Sequence, residues 1–223
     1  MKIVSLTLAR GGSKGVPRKN LIDINGKPLL SYVLNAAKNS KYIQERYVST
    51  EDMEIKSVSE EYGASVITRP VELATDSAKC EDALIHFSSK VDFDILCFIQ
   101  TTSPLVLSSD IDKGIEKVIS GEYESVFAGT DETWVPRWVE IDGNVSPVNW
   151  TPKQRPRRQQ MPTTIIENGA FYITTRENLL KNNLRYSGKI GCVRLPLKRS
   201  FQIDTLEELD LIKALLKMEE YYE

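Results

Sequence analysis

The sequence predicts an α/β chain, a mostly parallel sheet with helices on both faces and an irregular arm leaving it past its middle. Three observations predict this. Short apolar runs alternate with helix-length amphipathic stretches. Several runs are apolar throughout, as in strands covered on both faces. The alternation fails between about Thr130 and Thr164, where five prolines and three tryptophans collect beside a basic run, Lys153 to Arg158.

Ile3 to Ala9 reads as a buried strand ended by Arg10-Gly11-Gly12. Pro28 sits where a first helical turn tolerates it, ahead of the apolar-faced helix Leu29 to Ala37. Tyr47-Val48-Ser49 is a second strand, and Ser49-x-x-Asp52 marks a helix start running to about Tyr62, with Gly63 as its stop. Ala64 to Thr68 is a third strand and Ala78 to Lys90 another helix. Asp94 to Ile99 is the most apolar strand of all; after Pro104, Ser108 or Ser109 is expected to cap a helix to about Ile119. Ser125 to Ala128, Ala170 to Ile173 and Cys192 to Leu195 are further strands. Thr205-x-x-Glu208 forms a capping box opening a last helix with Leu209, Ile212 and Leu216 on one stripe. Right-handed crossovers then put ligands outside the carboxyl ends of the strands, at Arg10–Asn20, Arg69–Ser77 and Gln100–Pro104.

At 223 residues the chain is expected to form one domain, 1–223, with 130–164 as an arm inserted in it. A chain this long buries roughly three-quarters of its unfolded surface and needs no staple. The charges nearly cancel, 29 Lys and Arg against 31 Asp and Glu, which argues against bulk nucleic-acid binding. Cys80, Cys97 and Cys192 have no C-x-x-C spacing and His86 is the sole histidine, so neither a Cys/His zinc site nor a disulfide framework is expected. The opening apolar run is too short for a signal peptide and no run approaches a membrane span, so the expectation is a cytoplasmic protein.

The most informative segment is Ala9-Arg10-Gly11-Gly12-Ser13-Lys14-Gly15-Val16-Pro17-Arg18-Lys19-Asn20. Three glycines are expected to let the backbone turn through conformations other residues avoid and bring N–H groups toward an anion. Arg10, Lys14, Arg18 and Lys19 would repel one another unless something anionic sat among them, and a polyphosphate is the natural guest. Gly15 followed by Val16-Pro17 excludes a Walker A loop, and Pro17 argues against a dinucleotide fingerprint.

Leu8 to Asn20 resembles the signature loop of CMP-sialic acid synthetases (acylneuraminate cytidylyltransferases) almost residue for residue. Further segments agree in order: Arg69-Pro70-x-x-Leu73-Ala74-x-Asp76, Gln100-x-Thr102-Ser103-Pro104-Leu105, Arg157-Arg158-Gln159, Asn168-Gly169-Ala170-Phe171-Tyr172 and Ile203-Asp204-Thr205. The resemblance implies a nucleotidyltransferase-like Rossmann-type fold, a homodimer with 130–164 as the dimerisation arm, and Mg²⁺-dependent transfer of CMP from CTP to a nine-carbon 2-keto sugar acid. It implies that Arg10, Lys14 and Lys19 hold the triphosphate, with Gly11, Gly12 and Ser13 as donors and Asn20 positioning the nucleotide. Arg69 is implied near the cytosine, Gln100, Thr102 and Ser103 at the substrate, Arg158 and Gln159 at the sugar carboxylate and its polar groups, and Asp204 at the metal.

The chain departs from the family pattern in three places. Gln202 stands where an aspartate is common before Ile203-Asp204-Thr205, Val106 replaces an arginine, and Cys80 replaces a serine near the base. Two other readings stay open: a 3-deoxy-octulosonate cytidylyltransferase, and a non-catalytic nucleotide-binding protein.

Overall fold

Strand-forming and helix-forming stretches alternate from the first residues, and the computed structural model, which describes residues 1–218, realises them in order. From Ile3–Leu8 (β1) the chain crosses the glycine-rich loop and a short hairpin, Asp23–Ile24 (β2) with Lys27–Pro28 (β3), to Leu29–Lys38 (α1). Next come Glu45–Thr50 (β4), Met53–Glu61 (α2), Ser65–Thr68 (β5), Cys80–Ser88 (α3), Ile95–Ile99 (β6), Ser108–Ile119 (α4) and Ser125–Glu132 (β7). A ribbon of Trp138–Ile141 (β8) and Asn144–Pro147 (β9) follows, then Thr164–Thr175 (β10), Arg176–Asn182 (α5), Ile190–Arg194 (β11) and Leu206–Leu216 (α6).

Seven strands pair in the order β11-β7-β10-β6-β1-β4-β5. β10 is antiparallel to both β6 and β7, while the other pairings in this sheet are parallel. The sheet is thus mostly parallel, as expected.

Side-chain alternation along the strands divides the core into two layers. Ile95, Cys97 and Ile99 of β6 face α1, α2 and α4, through residues such as Leu34, Ile55 and Ile115. Leu96 and Phe98 face the other way, toward Leu84 and Phe87 of α3 and Leu179 of α5. All five β6 residues are buried, at about 1.5–3 kcal/mol per large apolar side chain, so this strand anchors the sheet edge above it. A third cluster joins Val16, Leu105 and Ile203 to Leu209, Ile212 and Leu216 of α6, fixing the segment before α6 beside the glycine loop.

Local signals place several ends. Asp52, not Ser49, caps α2, accepting from the N–H groups of Glu54 and Ile55 at 3.0 and 2.9 Å. Thr205 and Glu208 form the expected reciprocal box on α6, at 3.2 and 2.8 Å. The serine cap expected on α4 is absent. Ser108 and Ser109 lie inside the helix, Leu107 occupies the cap, and the Asp110 carboxylate accepts from the Leu107 N–H at 3.2 Å.

The excursion beyond Thr130 is a β-ribbon, with β7 and β10 extending past the sheet to carry it. Its turn is Asp142-Gly143, both residues at positive φ (50° and 74°), the geometry a two-residue hairpin demands. No helix among the described residues is long and apolar enough to cross a membrane.

Candidate functional site

The glycine loop is held in place by acids. Gly11 and Gly15 are not in the left-handed conformations the sequence suggested; the loop residue at positive φ is Arg18, at 52°. The glycines are needed for close approach instead. A Cβ on Gly11 would lie 2.5 Å from Asp52 Oδ2, and one on Gly15 would overlap the Asp204 carbonyl oxygen. Arg18 donates to Asp52 and Glu54 at the amino end of α2, and this hydrogen bonding holds the Asp52 carboxyl below its ordinary range. Asn20 is buried with both polar ends spent: its amide donates to the Arg10 carbonyl at 2.8 Å and its carbonyl accepts from the Thr101 hydroxyl at 2.7 Å. It therefore ties the loop after β1 to the turn after β6.

Above these ties lies a cleft of about 520 Å³. The loops after β1, β5 and β6 and the residue before the α6 cap all contribute to it, bringing together Arg10, Gly12, Ser13, Lys14, Lys19, Asn20, Arg69, Gln100, Thr102 and Asp204. The loop cations are not bare. Asp76 lies 2.6 Å from the Arg10 guanidinium and 2.9 Å from Lys14 Nζ, and hydrogen bonding from Lys14, then Arg10, lowers the Asp76 carboxyl. Lys19 Nζ donates to Asp204 Oδ1 at 2.8 Å and to the Ile203 carbonyl at 2.9 Å. The expectation that only a guest anion would quiet these charges is corrected: carboxylates distant in sequence already do so. Arg10, Lys14 and Lys19 nevertheless border open space.

Arg69 is no surface residue. Its side chain is 5% exposed, it meets Glu51 at 3.3 Å, its Nε has no partner, and burial pushes its guanidinium below the usual value. Cys80 opens α3 on the same wall.

Besides Arg18, four residues assigned to the site by the resemblance do not border the cleft. Gly11 turns its N–H away, onto Glu51 at 2.7 Å. Ser103 is buried behind the wall and accepts from Gln202 Nε2 at 3.3 Å. Arg158 and Gln159 are exposed on the arm, where Arg158 donates to the Thr133 hydroxyl. Sequence reasoning passed over Glu51, Asp76 and Lys79; Asp76 stood inside a quoted motif, while nothing local marked Glu51.

The acids bordering the cleft are Asp76 and Asp204, and no group of three or more His, Cys, Asp or Glu suited to a metal occurs among the described residues. Mg²⁺ typically takes one or two carboxylates with substrate phosphates and waters. Asp76 and Asp204 are within that number, and each carboxylate already meets a cation of the loop.

The family model described as Cytidylyltransferase matches residues 4–223. N-acylneuraminate cytidylyltransferase A of Danio rerio is 35% identical over 207 residues, 91% of this chain and 48% of that protein. Pseudaminic acid cytidylyltransferase of Campylobacter jejuni (strain 81-176) is 31% identical, covering 98% of this chain and 97% of its own. The chain thus spans about half the length of the vertebrate relatives it matches and nearly all of the bacterial one. Among solved structures, CMP:2-keto-3-deoxy-manno-octonic acid synthetase complexed with CTP superposes with a TM-score of 0.74 at 20% identity, over 98% of this chain and 100% of that one. The 4-diphosphocytidyl-2C-methyl-D-erythritol synthase of Anaerococcus prevotii gives 0.69 at 14%, over 97% and 98%. These two likenesses establish the nucleotidyltransferase-like fold.

Proposed function

Because this chain belongs to the cytidylyltransferase family, we propose that it transfers CMP from CTP to the anomeric hydroxyl of a nine-carbon 2-keto sugar acid. The observation that carries this reading is the convergence of Arg10, Lys14 and Lys19 on one cleft beside a buried, half-partnered Arg69. The relatives named for acylneuraminate and pseudaminic acid, both nine-carbon 2-keto acids, support the choice of acceptor.

The sugar hydroxyl gives its proton to water and forms a bond to the α-phosphorus as the bond to the bridging oxygen breaks, and pyrophosphate leaves. Such transfers ask the protein for alignment and charge stabilisation more than covalent chemistry. Arg10 and Lys14 exchange Asp76 for phosphate oxygens, and Ser13 and the Gly12 backbone add neutral donors. Lys19, held by Asp204, faces the charge that develops on the leaving group. Arg69 sits on the base side with Cys80, and Gln100 with Thr102 on the acceptor side. When bound, Mg²⁺ neutralises charge between the phosphates, and Asp204 would hold it.

The arm is the proposed homodimer contact. Trp138, Ile141, Val145 and Val148 are each more than half exposed on a two-stranded ribbon, a motif of marginal stability alone. A second copy covering it would also bring its Arg158 and Gln159 toward a neighbouring cleft, where a guanidinium grips the sugar carboxylate. The setting is cytoplasmic, with no nucleic-acid or membrane partner.

The test is pyrophosphate release from CTP and Mg²⁺ with a panel of 2-keto sugar acids. Release with a nine-carbon acid supports the proposal. Release with 3-deoxy-octulosonate alone favours the reading suggested by the octonic acid synthetase fold. CTP binding without release from any acid favours a non-catalytic nucleotide-binding protein.

A further inference from the structure

Glu51 follows β4 and precedes the α2 cap, and its side chain is 19% exposed. It does not border the cleft, yet its two oxygens reach both halves of it. Oε1 accepts from the Gly11 N–H at 2.7 Å, and Oε2 lies 3.3 Å from Arg69 Nη2. Gly11 belongs to the loop carrying Arg10 and Lys14, and Arg69 to the wall carrying Cys80. We propose that Glu51 is a positioning residue for nucleotide transfer, one carboxylate that sets the phosphate loop and the base-side arginine in a single register.

The physical grounds are specific. Burial of a guanidinium without a counter-charge is strongly unfavourable, so Arg69 keeps its place only with Glu51 beside it. Its Nε is buried without a partner, so Glu51 is the counter-charge that holds the group. The Gly11 N–H, taken by a carboxylate, presses the loop onto α2, where Asp52 leaves no room for a Cβ. The amino end of α2 favours this negative charge. Arg18 takes the neighbouring Asp52 and Glu54, which leaves Glu51 to Gly11 and Arg69.

This proposal rests on reading the cleft as the CTP site, and the test separates the two. Affinities for CTP and for inorganic pyrophosphate are measured by calorimetry on the wild-type chain, Glu51→Gln and Glu51→Ala, with thermal midpoints recorded. Glutamine keeps an acceptor for the Gly11 N–H but removes the charge facing Arg69; alanine removes both. Glu51→Ala is expected to weaken CTP at least about tenfold and pyrophosphate about fivefold. Glu51→Gln is expected to restore pyrophosphate to within about twofold while CTP stays at least about fivefold weaker. A role in stability alone would lower the thermal midpoint without dividing the two ligands in this way. Wild-type affinity for both ligands in Glu51→Gln overturns the proposal, even if Glu51→Ala does not fold; so does equal loss of both ligands in the two variants. Failure of the wild-type chain to bind CTP overturns the underlying reading of the cleft, and the proposal with it.

Discussion

Removing the Arg10 side chain should weaken CTP far more than cytidine. The guanidinium is about one-third exposed and lies 2.6 Å from Asp76. A hydrogen bond to a charged partner contributes about 1.5–3 kcal/mol. Triphosphate must displace Asp76, and solvent reaches the pair, so the lower end applies: about 1.5 kcal/mol, roughly a tenfold rise in Kd. Alanine leaves the Arg10 carbonyl to accept from Asn20 at 2.8 Å, so the loop stays tied to Thr101 and the loss reports on the side chain. Calorimetric titration of wild-type and Arg10→Ala chains with CTP and with cytidine, at fixed Mg²⁺ and salt, measures it. Equal losses for both ligands, or none for CTP, would refute the assignment of Arg10 to phosphate.

Three further outcomes are expected. Asp204→Asn should cut turnover at least about tenfold, about 1.4 kcal/mol of barrier, and unchanged turnover at saturating Mg²⁺ would remove Asp204 from the mechanism. Burial pushes the His86 imidazole below its usual value, so the unfolded chain takes up the proton first as pH falls. The thermal midpoint should therefore be full above about pH 6.5 and decline below it, with a shallower decline in His86→Gln; identical slopes would contradict this. Trp138→Asp, on the exposed ribbon, should shift a dimer to monomer in sedimentation, and an unchanged mass would place the contact elsewhere.

Much of the fold was legible because burial leaves a mark in sequence. The uninterrupted apolar run of β6 and the Thr205/Glu208 box state their structure locally. The reversal of β10 did not show, since a strand covered on both faces has no alternation to reveal its direction. At seven residues, α5 is too short for periodicity to declare it. The β2–β3 hairpin was missed although Asn25-Gly26, at φ 52° and 85°, is a strong hairpin dipeptide. In the site, the loop was found for a sound reason and a mistaken one. Arg10, Lys14 and Lys19 do gather at a cleft while Arg18 turns to Asp52 and Glu54, and its glycines serve close packing rather than unusual torsions. The acids that neutralise it lie 34 residues away at Asp52 and 185 at Asp204, distances at which a linear reading sees no pair. For the same reason Glu51 was invisible, its two partners meeting only once β1, β4 and β5 align.

The most direct test is a crystal structure of this chain with CTP. The triphosphate is expected among Arg10, Lys14 and Lys19, with Asp76 released from the first two. Phosphates bound elsewhere, with Asp76 still holding both cations, would contradict it.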